Sequence, residues 1–128
     1  MRGNKGFTLI ELVMIIVILG ILAVVAVPRY INMQTEAREA AAESYIGALN
    51  SAMSAHTADH YVRGTDWVKN GDEAMELLEG GSEMPDGLSY KGGEWTLEGS
   101  DKKWKFSKAT DDVAPKIDFS GKTSKKKK

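Results

Sequence analysis

An α+β fold is predicted for this chain, with one long N-terminal helix followed by a small antiparallel sheet, and three patterns in its 128 residues point there. The first is an apolar run from Phe7 to Val27 that holds a single charged residue, Glu11. The second is an alanine-rich stretch from Thr35 to Ala58 with apolar side chains at helical spacing. The third is a series of short alternating segments after Leu88, set apart by Gly92-Gly93 and by Gly99-Ser100-Asp101.

The apolar run covers 21 residues. As a helix it would measure roughly 32 Å, enough to cross a bilayer core of about 30 Å. Its β-branched content would suit a buried strand, but a strand of this length is improbable, and the helix reading wins. Arg2 and Lys5 precede it and favour the cytoplasmic side. A secretory signal cut near Val24-Val25-Ala26, or a plain membrane anchor, would explain the hydrophobicity. Neither explains Glu11. An ionisable group inside an apolar span costs on the order of 3 kcal/mol, so it marks a functional position. A carboxylate four residues after a free amine at Phe7 would have a partner, either its own N-terminus or a neighbour's. That requires a cut between Gly6 and Phe7.

The string Lys5-Gly6-Phe7-Thr8-Leu9-Ile10-Glu11-Leu12 resembles the processing motif of type IV prepilins and pseudopilins. The resemblance continues through Gly20 and Pro28 to about Ala55, and Ile16 to Tyr30 is particularly similar to the mannose-sensitive haemagglutinin branch. It implies cleavage after Gly6 by a prepilin peptidase, N-methylation of Phe7, and use of Glu11 in assembly. Gly20 and Pro28 match the family's helix-softening glycine and kink-forming proline. The implied fold is ladle-shaped. The implied function is that of a structural subunit, not an enzyme, which polymerises into an extracellular type IV pilus for adhesion or twitching motility. A type II secretion pseudopilin forming a periplasmic pseudopilus is the alternative, and a membrane-anchored binding domain is the second. The implied partners are other pilin subunits, the peptidase and methylase, inner-membrane assembly machinery, and the membrane before assembly. The chain would be a single-pass inner-membrane protein first and part of a surface filament later.

On this reading residues 1–6 form the leader and 7–28 the transmembrane and filament-core helix. Residues 29–62 are the amphipathic half of the helix, 63–87 a connecting loop with a short helix, 88–120 the sheet, and 121–128 a basic tail. Glycine costs about 1 kcal/mol against alanine within a helix, and proline removes a backbone donor. Gly20 to Val27 should therefore unwind more easily than its flanks, helical in the membrane and partly extended in a filament.

In the second half of the helix Ile46, Leu49, Met53, His56 and His60 recur at three- and four-residue steps and share a face. Glu36, Glu39 and Glu43 occupy the opposite side, spaced for solvent or for a neighbouring subunit. One helix from Phe7 to about His60 would extend roughly 80 Å, a length suited to a bundled filament core. His56 and His60 flank Asp59, but no glutamate in the zinc-peptidase position and no third ligand accompany them. They read as the end of an amphipathic helix, and Tyr30, Tyr45 and Tyr61 read as packing residues.

In the head, Asp72 to Glu79 predicts a short helix with Asp72 near its cap and Gly80-Gly81 ending it. Leu88–Tyr90, Glu94–Glu98, Lys103–Ser107 and the Ile117–Phe119 region predict three or four antiparallel strands. Trp67, Trp95, Trp104 and Phe106 are the expected core anchors. The chain has no cysteine, so the C-terminal disulfide loop common in major pilins is missing, a departure from the disulfide-containing haemagglutinin pilins. Asp111, Asp112 and Asp118 supply carboxylates of the kind the major pseudopilin uses for calcium, but here they read as a solvated loop. Lys125–Lys128 reads as a solvated tail. A net charge of −1 gives no reason to expect an obligate nucleic-acid partner, and no cofactor or metal is expected.

Overall fold

A computed structural model describes residues 5–78, 83–110 and 113–121. The chain divides into two units, Met1–Gln34 and Thr35–Lys128, and helix α1, Leu9–Arg63, contributes to both.

In the first unit the residues from Leu9 onward are helical, including Gly20 and Pro28. Loss of one backbone donor at Pro28 does not end the helix, because the turns on either side keep their own bonds. None of the large apolar side chains between Phe7 and Met33 is buried by the chain itself.

The second unit is built on the other half of α1. Ala42, Tyr45, Ile46, Leu49 and Met53 are buried at three- and four-residue steps, which confirms the predicted face. His56 and His60 continue it as half-buried flanks. The helix closes where the Gly64 N–H donates to the His60 carbonyl at 2.8 Å. Burial pushes the Tyr45 phenol above its ordinary pKa. Of the other two tyrosines expected to pack, Tyr30 is exposed, and Tyr61 is exposed too, with its ring edge-on to His60 and Trp67 at the helix end.

Helix α2 spans Gly71–Glu76, shorter than the predicted Asp72–Glu79. Its cap is Asn70, not Asp72, because the Asn70 side chain accepts the Glu73 N–H at 2.9 Å. The expected terminator Gly80-Gly81 lies outside the described residues.

The sheet is a four-stranded antiparallel meander in the order β1 (Leu88–Lys91), β2 (Glu94–Leu97), β3 (Lys103–Ser107), β4 (Lys116–Phe119). Lys91 pairs with Glu94 across Gly92-Gly93, and both glycines have positive φ, 61° and 88°. A two-residue hairpin turn of this kind matches the twist of its strands only with such residues. Trp95 pairs with Trp104, and Phe106 with Ile117. Alternation sends Leu88, Trp95, Leu97, Trp104, Phe106 and Ile117 to one face, where they cover α1.

Trp67 is the expected anchor that fails. It is half-buried, stacked on His60 with ring centres 3.9 Å apart, and its neighbour Val68 enters the core instead. Adjacent residues in this irregular segment point opposite ways, and only one can face inward. Glu39 and Glu43 also depart from expectation, because Lys102 from the turn between β2 and β3 pairs with both. Arg38, the residue before Glu39, pairs with Asp86 at 3.2 Å.

Candidate processing and assembly site

Lys5 to Thr8 are non-helical and exposed, so the Gly6–Phe7 peptide bond lies on open backbone. Phe7 is 83% exposed. The helix begins at Leu9, two residues later than the apolar run, and Thr8 is the reason. The Thr8 carbonyl accepts the Leu12 N–H at 3.2 Å, and its hydroxyl accepts the Glu11 N–H at 3.3 Å. The Glu11 carboxylate in turn accepts the Thr8 N–H at 2.9 Å. This reciprocal pair is a capping box, with Thr8 at the cap and Glu11 three residues on. It also places an anionic group in the first turn, where the unpaired N–H groups of the helix end favour negative charge.

The sequence-predicted site residues thus separate into two places. Gly6, Phe7 and Glu11 gather at the helix start, whereas Gly20 and Pro28 lie further along α1. A Cβ added at Gly20 would meet nothing within 4 Å. Its small size therefore answers no packing need inside the single chain. Thr8 is the residue that the sequence reading missed, although the T-x-x-E spacing of Thr8 and Glu11 announced it.

The apolar half of α1 is long and hydrophobic enough to cross a membrane, and the chain itself buries none of its most apolar stretch. A carboxylate in such surroundings is tolerable where hydrogen-bond donors meet it. Among the described residues the Thr8 amide is such a donor.

Among its described residues the head offers no comparable chemistry. No group of three potential metal ligands is found among the described residues. His60 is held by the Thr65 carbonyl through Nδ1 and by its stack on Trp67. Asp118 pairs with Lys116 at 3.2 Å and accepts the Ser107 hydroxyl at 3.3 Å, while Asp111 and Asp112 lie outside the described residues. An open depression of about 370 Å³ carries Lys69, Lys105 and Lys108 against Asp72. Lys69 is already near Asp66, and Lys105 stands across from Glu94 and Asp118 in the sheet.

Residues 1–27 match the prokaryotic N-terminal methylation motif. The chain is similar to a type IV narrow pilus major component of Thermus thermophilus, 37% identical over 61% of this chain and 63% of the relative. It is also similar to a type IV major pilin of Myxococcus xanthus, 43% identical over 38% of this chain and 22% of the relative. A type II secretion system core protein G of Vibrio cholerae is 33% identical over 73% of this chain and 60% of its own length. The chain therefore spans less than two thirds of these relatives. No solved structure gives a significant match. A methylation motif on a capped apolar helix, an α+β head, and similarity to both pilins and pseudopilins point the same way: the chain resembles type IV pilins and type II secretion pseudopilins.

Proposed function

We propose that the chain is the building block of an extracellular type IV pilus, formed after the leader is cut between Gly6 and Phe7 and Phe7 is N-methylated. The observation that carries this reading is an apolar helix surface left uncovered by its own chain and interrupted by one carboxylate. Copies of the same helix supply what a single chain lacks, since packing them together removes the apolar surface from both water and lipid. Glu11 of an incoming subunit would accept hydrogen bonds from the new Phe7 ammonium of a neighbour, offsetting two charges that are costly apart in a low dielectric. The Gly20–Pro28 stretch would loosen on assembly, because its glycine and proline weaken the helix where the packing changes. The partners are the prepilin peptidase and methylase, the inner-membrane assembly machinery and further copies of the subunit. Before assembly the chain is anchored in the inner membrane.

The similarity to type II secretion core protein G supports a second reading, a short periplasmic pseudopilus with the same assembly chemistry. Electron microscopy of the native producer, with identification of the main filament protein, tests the choice. Long surface fibres made of this chain support the pilus. A secretion defect on its deletion, without fibres, supports the pseudopilus. An intact N-terminal Met1 on the mature protein overturns both.

A further inference from the structure

The candidate cleavage junction and the start of α1 are separated by very little chain. Phe7 is non-helical, Thr8 caps, and Leu9 is the first helical residue. From Lys5 to Leu12, Thr8 is the one residue of the Ser, Thr, Asp or Asn class that caps helices well. Its hydroxyl takes the Glu11 N–H, which would otherwise be free at the helix end. Were the helix to continue one turn backward, the Gly6 carbonyl would accept the Ile10 N–H, and the junction would be closed within a turn.

We propose that Thr8 is a positioning residue for leader removal, fixing the start of α1 so that the Gly6–Phe7 bond stays extended and open to the peptidase. The proposal rests on the junction assigned above. In the hydrolysis itself, water adds its oxygen to the Gly6 carbonyl carbon and the C–N bond breaks. The Phe7 nitrogen takes a proton, leaving a Gly6 carboxylate and a Phe7 amine. The carbon must be reachable, and an extended segment presents it while a helical turn encloses it. Glu11 contributes differently. The bond made by the Thr8 hydroxyl uses the backbone amide of Glu11, so it survives removal of the carboxylate.

The test uses the full-length precursor in detergent micelles with a prepilin peptidase, following release of Met1–Gly6 by mass spectrometry. Thr8→Val keeps the shape and loses the acceptor, whereas Thr8→Ser keeps the acceptor. Losing the cap lowers the fraction of precursor with an open junction, so Thr8→Val should raise KM about threefold and leave kcat unchanged. Thr8→Ser should keep the wild-type KM. Near-UV circular dichroism of each variant checks that the head is intact. A wild-type KM for Thr8→Val, or a Thr8→Ser precursor cut as poorly as Thr8→Val, overturns the positioning role. A wild-type chain cut elsewhere than after Gly6 overturns the junction itself, and is distinguished by the mass of the product.

Discussion

The Lys102 ammonium stands 3.1 Å from the Glu39 carboxylate and is shared with Glu43, tying the turn between β2 and β3 to α1. The Ser100 hydroxyl donates to the same Glu39 at 2.7 Å. That hydrogen bond, and then Lys102, hold the Glu39 carboxyl below its ordinary value of 4.5. Glu43 and Glu39 together raise the Lys102 amine above its ordinary 10.5. A lowered acid stabilises the fold above its ordinary value, and the gain is lost as pH falls through the lowered one. A raised amine stabilises below its ordinary value, and the gain is lost as pH rises through the raised one. The clasp is therefore complete between 4.5 and 10.5 and weakens outside that window. Lys102→Met should cost about 0.5–1 kcal/mol near neutrality, since the groups remain partly solvated. Thermal unfolding of the head in micelles across pH reads this, and the variant should lose part of the acid dependence.

Asn50 is a second tie of a different kind. Its side-chain amide accepts the Ile117 N–H at 2.9 Å and donates to the Ile117 carbonyl at 3.0 Å, so it pairs with the edge strand β4 as another strand would. Asn50→Ala leaves two partly buried backbone groups without partners and should destabilise the head by about 1–3 kcal/mol. Amide hydrogen exchange at Ile117 should accelerate before exchange in β2 does. Equal acceleration throughout the sheet would contradict a local role.

Gly71 opens α2 against the aromatic pair Tyr90 and Trp95. A Cβ there would lie 2.6 Å from both rings, and Trp95 is fully buried. Gly71→Ala should therefore cost about 1–3 kcal/mol by displacing α2 or the Trp95 ring. Denaturant unfolding followed by tryptophan fluorescence would measure it, and wild-type stability would mean that α2 yields freely.

Glu11→Ala should abolish filament formation while leaving leader removal intact. The proposed assembly step uses the carboxylate, whereas the helix start is kept by the Thr8 hydroxyl. Counting surface filaments and weighing the N-terminus of the membrane-bound protein separate the two steps. Wild-type filament yield in this variant would refute the assembly role of Glu11.

A Gly6 substitution has the opposite signature. A Cβ at Gly6 meets nothing within 4 Å among the described residues, so the fold should be unaffected. The precursor should nonetheless accumulate uncut in the membrane, because any obstruction lies in the peptidase. Immunoblotting of membrane fractions shows whether the larger form persists.

The elements whose signal is local were legible in the residues alone. The apolar run, the periodic face of Ile46, Leu49 and Met53, and strands separated by glycine turns each follow from residue spacing, and all three were found where expected. The motif at Gly6, Phe7 and Glu11 was equally readable, and so was the Thr8 cap in retrospect. Which charges on α1 stay solvated was settled by long-range packing. Glu36, Glu39 and Glu43 look alike in sequence, yet Lys102 arrives beside two of them from about sixty residues away. The same packing also decided that Val68, not Trp67, completes the core, and that Asn50 finishes the sheet. The reason is physical: backbone periodicity is written within a few residues, while the partner of a polar side chain depends on which distant segment the packing of apolar faces brings alongside.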